Sequence, residues 1–183
     1  MSSLVEVRSD AVHAALRRVT EAAVDLDPVL RSIGEDLAVM IKRTFETSSD
    51  PEGVPWARNS EATLMALLNR SSGSWRKKDG KISAKGTRLM MGKKPLIGES
   101  TGIKALSSTI FYQVGDGALV VASPREYAAM QQFGGKKSQF PHLWGDIPPR
   151  PFFPITPDGG LMPVAERAAV SAVEEILNRA IGD

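Results

Sequence analysis

Six prolines fall between residues 136 and 160: Pro141, Pro148, Pro149, Pro151, Pro154 and Pro157. Proline fixes φ, and it disfavours helix in the residue before it. The run Ile147-Pro148-Pro149-Arg150-Pro151-Phe152-Phe153 must therefore be extended. Regular elements have to be arranged on either side of it. Met162 to Ile181 follows as a helix, with Val164, Ala168, Ala172, Ile176 and Ala180 on one stripe at helical spacing.

Upstream, Val5-Glu6-Val7 alternates as a short strand would, and Val12, Leu16, Val19, Ala23 and Leu26 mark one face of a helix from Asp10 to about Asp25. Asp27-Pro28 starts a second helix, an acceptor followed by proline at the first helical position. Leu30, Ile33, Leu37, Met40, Ile41, Thr44 and Phe45 give its apolar face, and the short connection makes the two helices an antiparallel pair. Residues 47–55 are turn chemistry, and Trp56 is expected to anchor that loop. Ser60 to Asn69 is again helical. The run Ser108–Val114, the turn Gly115-Asp116-Gly117 and the run Ala118–Ser123 read as a β-hairpin. Ser123-Pro124-Arg125-Glu126 reads as a capping box opening a short helix that Phe133-Gly134-Gly135 ends.

Of 183 residues 42% are apolar, enough for one domain with a real core. The net charge of +2 conceals an uneven distribution. Residues 70–95 hold nine basic residues against the single acid Asp79, so this stretch is +8 and the remainder −6. The stretch shows no sustained period, which reads as a mobile loop or long hairpin inserted in a mildly acidic domain. The fold class is α+β: two N-terminal helices and a C-terminal helix packed on a small antiparallel sheet, with a short embedded helix and a long basic loop. We take residues 1–183 as one domain.

Several function classes fall away. No run of 18 apolar residues exists to span a membrane, and the first residues lack the pattern of a secretory signal. Without cysteine there is no disulfide, thiolate nucleophile or cysteine metal site. The two histidines, His13 and His142, lie far apart, and neither is read as a ligand. Gly98-Glu99-Ser100-Thr101-Gly102 matches the nucleophile-elbow pattern, but the proline-broken stretch before it cannot be the central strand that the motif needs. It reads as a plain turn. The adjacent pairs Glu35-Asp36 and Glu174-Glu175 point to different helix faces and form no acid/base couple. No catalytic, metal or cofactor site is expected.

Two features suggest contacts instead. Arg76, Lys77, Lys78, Lys81 and Lys85, with Trp75 beside them, could meet nucleic acid or an acidic partner, or be a solvated loop. Tyr127, Phe133, Phe140, Trp144, Phe152 and Phe153 crowd among prolines and glycines, as core lining or as an oligomer interface.

The order Asp50-Pro51-Glu52-Gly53-Val54-Pro55-Trp56, a basic middle, Val120-Val121-Ala122-Ser123, Tyr127-Ala128, Gln132-Phe133-Gly134-Gly135 and Ile147-Pro148-Pro149-Arg150-Pro151-Phe152 resembles the phage virion-morphogenesis (tail-completion) family of Mu-like tailed phages, over nearly the whole chain. Gln131 stands where that family usually has a histidine. The resemblance implies a structural, non-enzymatic virion protein of the neck or tail end, made in the host cytoplasm. It would act in tail completion and head–tail joining, as a ring, most simply a hexamer, around the DNA channel. Its partners would be further copies of itself, neck, connector or tail-tube proteins, and DNA in the channel. On that reading Tyr127, Phe133, Gly134, Pro148, Pro149, Arg150, Pro151 and Phe152 form the subunit or partner interface, together with the hairpin, whose sheet edge could accept a neighbour's strand. Arg150, held between prolines, is a charged anchor for a neighbour or half of an internal salt bridge. The alternative is a nucleic-acid-binding module built on residues 70–95.

Overall fold

The structure, a computed structural model, describes residues 14, 16–20, 25–71, 75–97, 105–143 and 145–182. The expected strand at Val5–Val7, the start of the first helix with His13, the pentapeptide around Ser100, Trp144 and the Ala180 side chain lie outside the described residues. Residues 16–20 are helical. Then come α1 (Asp27–Thr47), α2 (Glu61–Arg70), α3 (Ala84–Gly92), a 3₁₀ turn (Leu106–Ser108), β1 (Phe111–Gly115), β2 (Ala118–Ala122), α4 (Ala128–Phe133) and α5 (Pro163–Gly182). The fold is α+β, as the sequence predicts. The chain groups into two compact units, divided within α1 between Val39 and Met40.

The first unit holds the chain up to Val39, the segment Phe111–Ala122 and the chain from Pro163. β1 and β2 pair antiparallel from Phe111↔Ala122 to Gly115↔Ala118. Asp116 and Gly117 both have positive φ, 52° and 68°, the two-residue turn that matches strand twist. The strand starts three residues later than the sequence suggests, because Leu106–Ser108 winds into the 3₁₀ turn. The Tyr112 ring lies directly over Gly34 of α1; a Cβ there would sit 2.5 Å from the ring, so glycine makes the approach possible. The Tyr112 hydroxyl reaches Glu35 Oε1 at 3.4 Å. On α5 the most buried residues are Ala165 and Ala172, two turns apart on one face, so Ala165 joins the predicted stripe.

The second unit holds Met40–Ile110 and Ser123–Met162. Ile41 and Phe45 of α1 are buried, as is Thr44, whose hydroxyl donates to Ile41 O at 2.6 Å. Trp56 is buried too. Its ring meets Phe45 edge-on at 5.4 Å, and its indole N–H donates to Pro151 O at 2.7 Å, so it anchors its loop as expected. Ser60 caps α2 by accepting from Thr63 N.

Residues 75–94 depart from the loop or hairpin expected there. Arg76 and Ile82 form a β-bridge around a turn, and α3 follows, packed against α2. The capping box at Ser123 also fails to form. Ser123 Oγ accepts from Arg125 N at 3.4 Å, and α4 begins only at Ala128, after a turn, with no side-chain cap.

Candidate interaction surface

α4 is six residues long, too short to hold itself together, so its neighbours must fix it. Gly134 ends it with φ of 74°, its N–H on Met130 O at 3.0 Å. A Cβ at Gly134 would lie 2.7 Å from Ile147 O, so the proline segment can run close alongside only because this residue is glycine. Gly135 and Ile147 then exchange two backbone hydrogen bonds, at 2.9 and 2.8 Å. Arg150 N donates to Gln131 O at 2.8 Å.

The side chain of Gln132 completes the clamp. It is buried, and its Oε1 accepts from both Phe152 N and Phe153 N at 2.9 Å, while its Nε2 donates to Phe153 O at 3.0 Å. One amide thus does the work of a neighbouring strand for a segment that has none. Only its place one residue before Phe133-Gly134 marked it in the sequence.

The expected interface residues divide into two groups. Phe152 has no exposed surface and packs on Phe45 at 5.4 Å and Phe153 at 4.7 Å. Arg150 is also buried, its Nε on Ala57 O at 2.9 Å and its Nη2 on Arg58 O at 3.0 Å. Both bonds go to backbone carbonyls rather than to the carboxylate of a salt bridge. Burial lowers the guanidinium pKa from its ordinary value, since the charged form loses its water. These two residues, with the half-buried Pro151, are structure within the unit. Tyr127 and Phe133 face outward, 47% and 51% exposed. Phe133, Gly134, Pro148 and Pro149 line an open groove of about 490 Å³.

Replacing Arg150 by lysine is expected to destabilise by about 1–2 kcal/mol, because a single ammonium cannot reproduce the fork onto two carbonyls. A urea melt of Arg150→Lys beside the wild type checks it; an unchanged midpoint would show that the fork contributes nothing.

The basic residues named from sequence are exposed. Arg76, Lys77, Lys78 and Lys81 lie on the turn and Lys85 on α3. Among the described residues no group of side chains is arranged to hold a metal ion, and no helix is long and apolar enough to cross a membrane.

The sequence matches the model of the phage virion morphogenesis family over residues 7–177. No curated protein and no solved structure gives a significant match. The family match takes in both compact units, the Gln132 clamp, the basic segment and most of α5. A match of that extent makes the chain a member of the phage virion morphogenesis family, with a structural or assembly role in the phage particle.

Proposed function

We propose that this protein completes the phage tail and joins it to the head, as a closed ring of identical subunits around the DNA channel. It sits at the neck or tail end, against connector or tail-tube proteins. Six subunits is the simplest number. The observation that carries the reading is the display of large apolar side chains on braced elements. Tyr127 precedes α4 and Phe133 ends it, with the proline groove beside Phe133, and Phe111 and Val120 are 48% and 55% exposed on the hairpin. A ring contact is heterologous: one patch of each subunit meets a different patch of the next. Two separate aromatic-bearing patches on one chain supply that requirement. Aromatic anchors on rigid backbone also lose little entropy on docking.

Light scattering across a concentration range tests it. The expected result is a discrete closed oligomer, and Phe133→Asp should shift it to monomer with its melting temperature unchanged. A wild-type monomer at every concentration, or an oligomer indifferent to both Phe133→Asp and Phe111→Asp, would overturn the ring.

A further inference from the structure

We infer that residues 75–94 form a built surface for the phosphate backbone of double-stranded DNA, read without regard to sequence. This goes beyond the ring reading and stands whether or not a ring forms. The segment is a folded unit. Lys77 N donates to Lys81 O at 2.8 Å and Gly80 N to Lys77 O at 3.0 Å, closing a turn that lifts Lys77, Lys78 and Lys81 into solvent. Asp79, the single acid between residues 70 and 95, has its carboxylate on Lys81 N at 3.0 Å. That carboxylate is committed to shaping the turn.

Turn and helix are locked together. Ser83 N donates to Trp75 O at 2.8 Å, and Ser83 Oγ caps α3 by accepting from Gly86 N. Gly86 is buried against the turn; a Cβ there would come within 2.8 Å of the Trp75 carbonyl oxygen. Lys85 and Arg88, three residues apart, therefore share one face of α3 beside the turn. With Lys93 they rim a groove of about 470 Å³ floored by Leu67, Trp75 and Leu89.

The residue types favour a polyanion over a protein partner. Lysine is depleted from protein–protein interfaces, where a flexible, strongly hydrated ammonium is costly to immobilise. A phosphate backbone asks for no fixed geometry, and each neutralised phosphate releases counterions. The state of Trp75 argues for duplex rather than single strand. Its N–H donates to Ser71 O at 2.9 Å, and Lys85 Nζ lies over its ring at 5.0 Å. That ring is committed to the fold and to Lys85 rather than offered to a base.

The test is fluorescence anisotropy on a random-sequence 25-base-pair duplex between 50 and 300 mM salt, using the full chain. Binding should fall linearly in log–log form with salt. Lys77→Gln/Lys78→Gln/Lys81→Gln/Lys85→Gln should lower the magnitude of the slope by about 3–4 and the affinity at 50 mM on the order of 100-fold. Lys77→Gln/Lys78→Gln, at the turn tip away from packed side chains, should give about half the slope change. Native mass of both variants and melting temperature of the double variant should match the wild type, which separates lost binding from lost folding or assembly; the quadruple variant, which also loses the Lys85–Trp75 contact, should melt slightly lower. No duplex binding at 50 mM, or a quadruple variant with the wild-type slope, would overturn the proposal. Displacement of the duplex by polyglutamate at equal charge would overturn it in favour of an acidic polypeptide. A single strand bound more tightly than the duplex would overturn the backbone-only mode.

Discussion

Phe152→Ala is expected to destabilise the protein by about 3–5 kcal/mol. The ring has no exposed surface and packs on Phe45 and Phe153, and Phe45 packs in turn on Trp56. Removing it takes away the transfer free energy of a whole aromatic side chain. The backbone on either side of it is held in place: the Gln132 amide bonds residues 152 and 153, and the Trp56 indole bonds Pro151 O. Such a site collapses poorly, which puts the cost towards the upper part of the range. Since domains are stable by roughly 5–15 kcal/mol, the variant should stand near the edge of folding. Urea denaturation followed by tryptophan fluorescence measures it. Phe152→Leu, which keeps most of the volume, should recover more than half the loss. A Phe152→Ala midpoint within experimental error of the wild type would refute the packing described.

The second large effect belongs to Gln132. Gln132→Leu keeps the side chain's bulk but strands the N–H groups of Phe152 and Phe153, while Phe153 O loses one of two partners and keeps Ile155 N at 2.9 Å. Each buried backbone group without a partner costs about 1–3 kcal/mol, and Phe153 is only partly buried, so a total of about 2–4 kcal/mol is expected. Hydrogen exchange gives a sharper readout than melting. The amides of Phe152 and Phe153 should lose protection in Gln132→Leu beyond what global destabilisation explains. Gln132→Glu should fall between, because a carboxylate accepts from both amides but cannot donate to Phe153 O. Unchanged protection of both amides would rule out the strand-like role of this side chain.

Much of the architecture was legible wherever local chemistry and tertiary packing agree. Asp116-Gly117 announces its hairpin, Ser60 its helix, Gly134 a helix end and the prolines an extended run, because each acts on its own few residues. α3 was hidden because its nine residues include Gly86 and Gly92, which lower intrinsic helix propensity. Its packing on α2 and on the Trp75 turn outweighs that propensity, and packing is not visible in a local pattern. The capping box misled for the converse reason: the right residues stand at Ser123 and Glu126, but the chain turns there before it winds. In the candidate surface, crowded aromatics were visible, but which of them point inward was not. Arg150 faces inward because loop 56–58 offers it two carbonyls about 90 residues away in the chain, and the Trp56 indole of the same loop holds Pro151 O, between Arg150 and Phe152.

The clamp also bears on how this chain can change length over evolution. Gln132 is aimed by its angular position on a helix of six residues, and each residue of helix turns the chain by about 100°. One residue added or lost between Tyr127 and Gln132 would swing the amide away from Phe152 and Phe153. The turn tip at Lys78-Asp79 carries no such angular constraint, since the bonds that close it, backbone to backbone and Asp79 carboxylate to Lys81 N, all lie within the turn. Insertions and deletions should therefore accumulate at the basic tip while the stretch from Tyr127 to Gly134 keeps its length, so relatives would differ in the reach of their cationic arm and share the frame behind it.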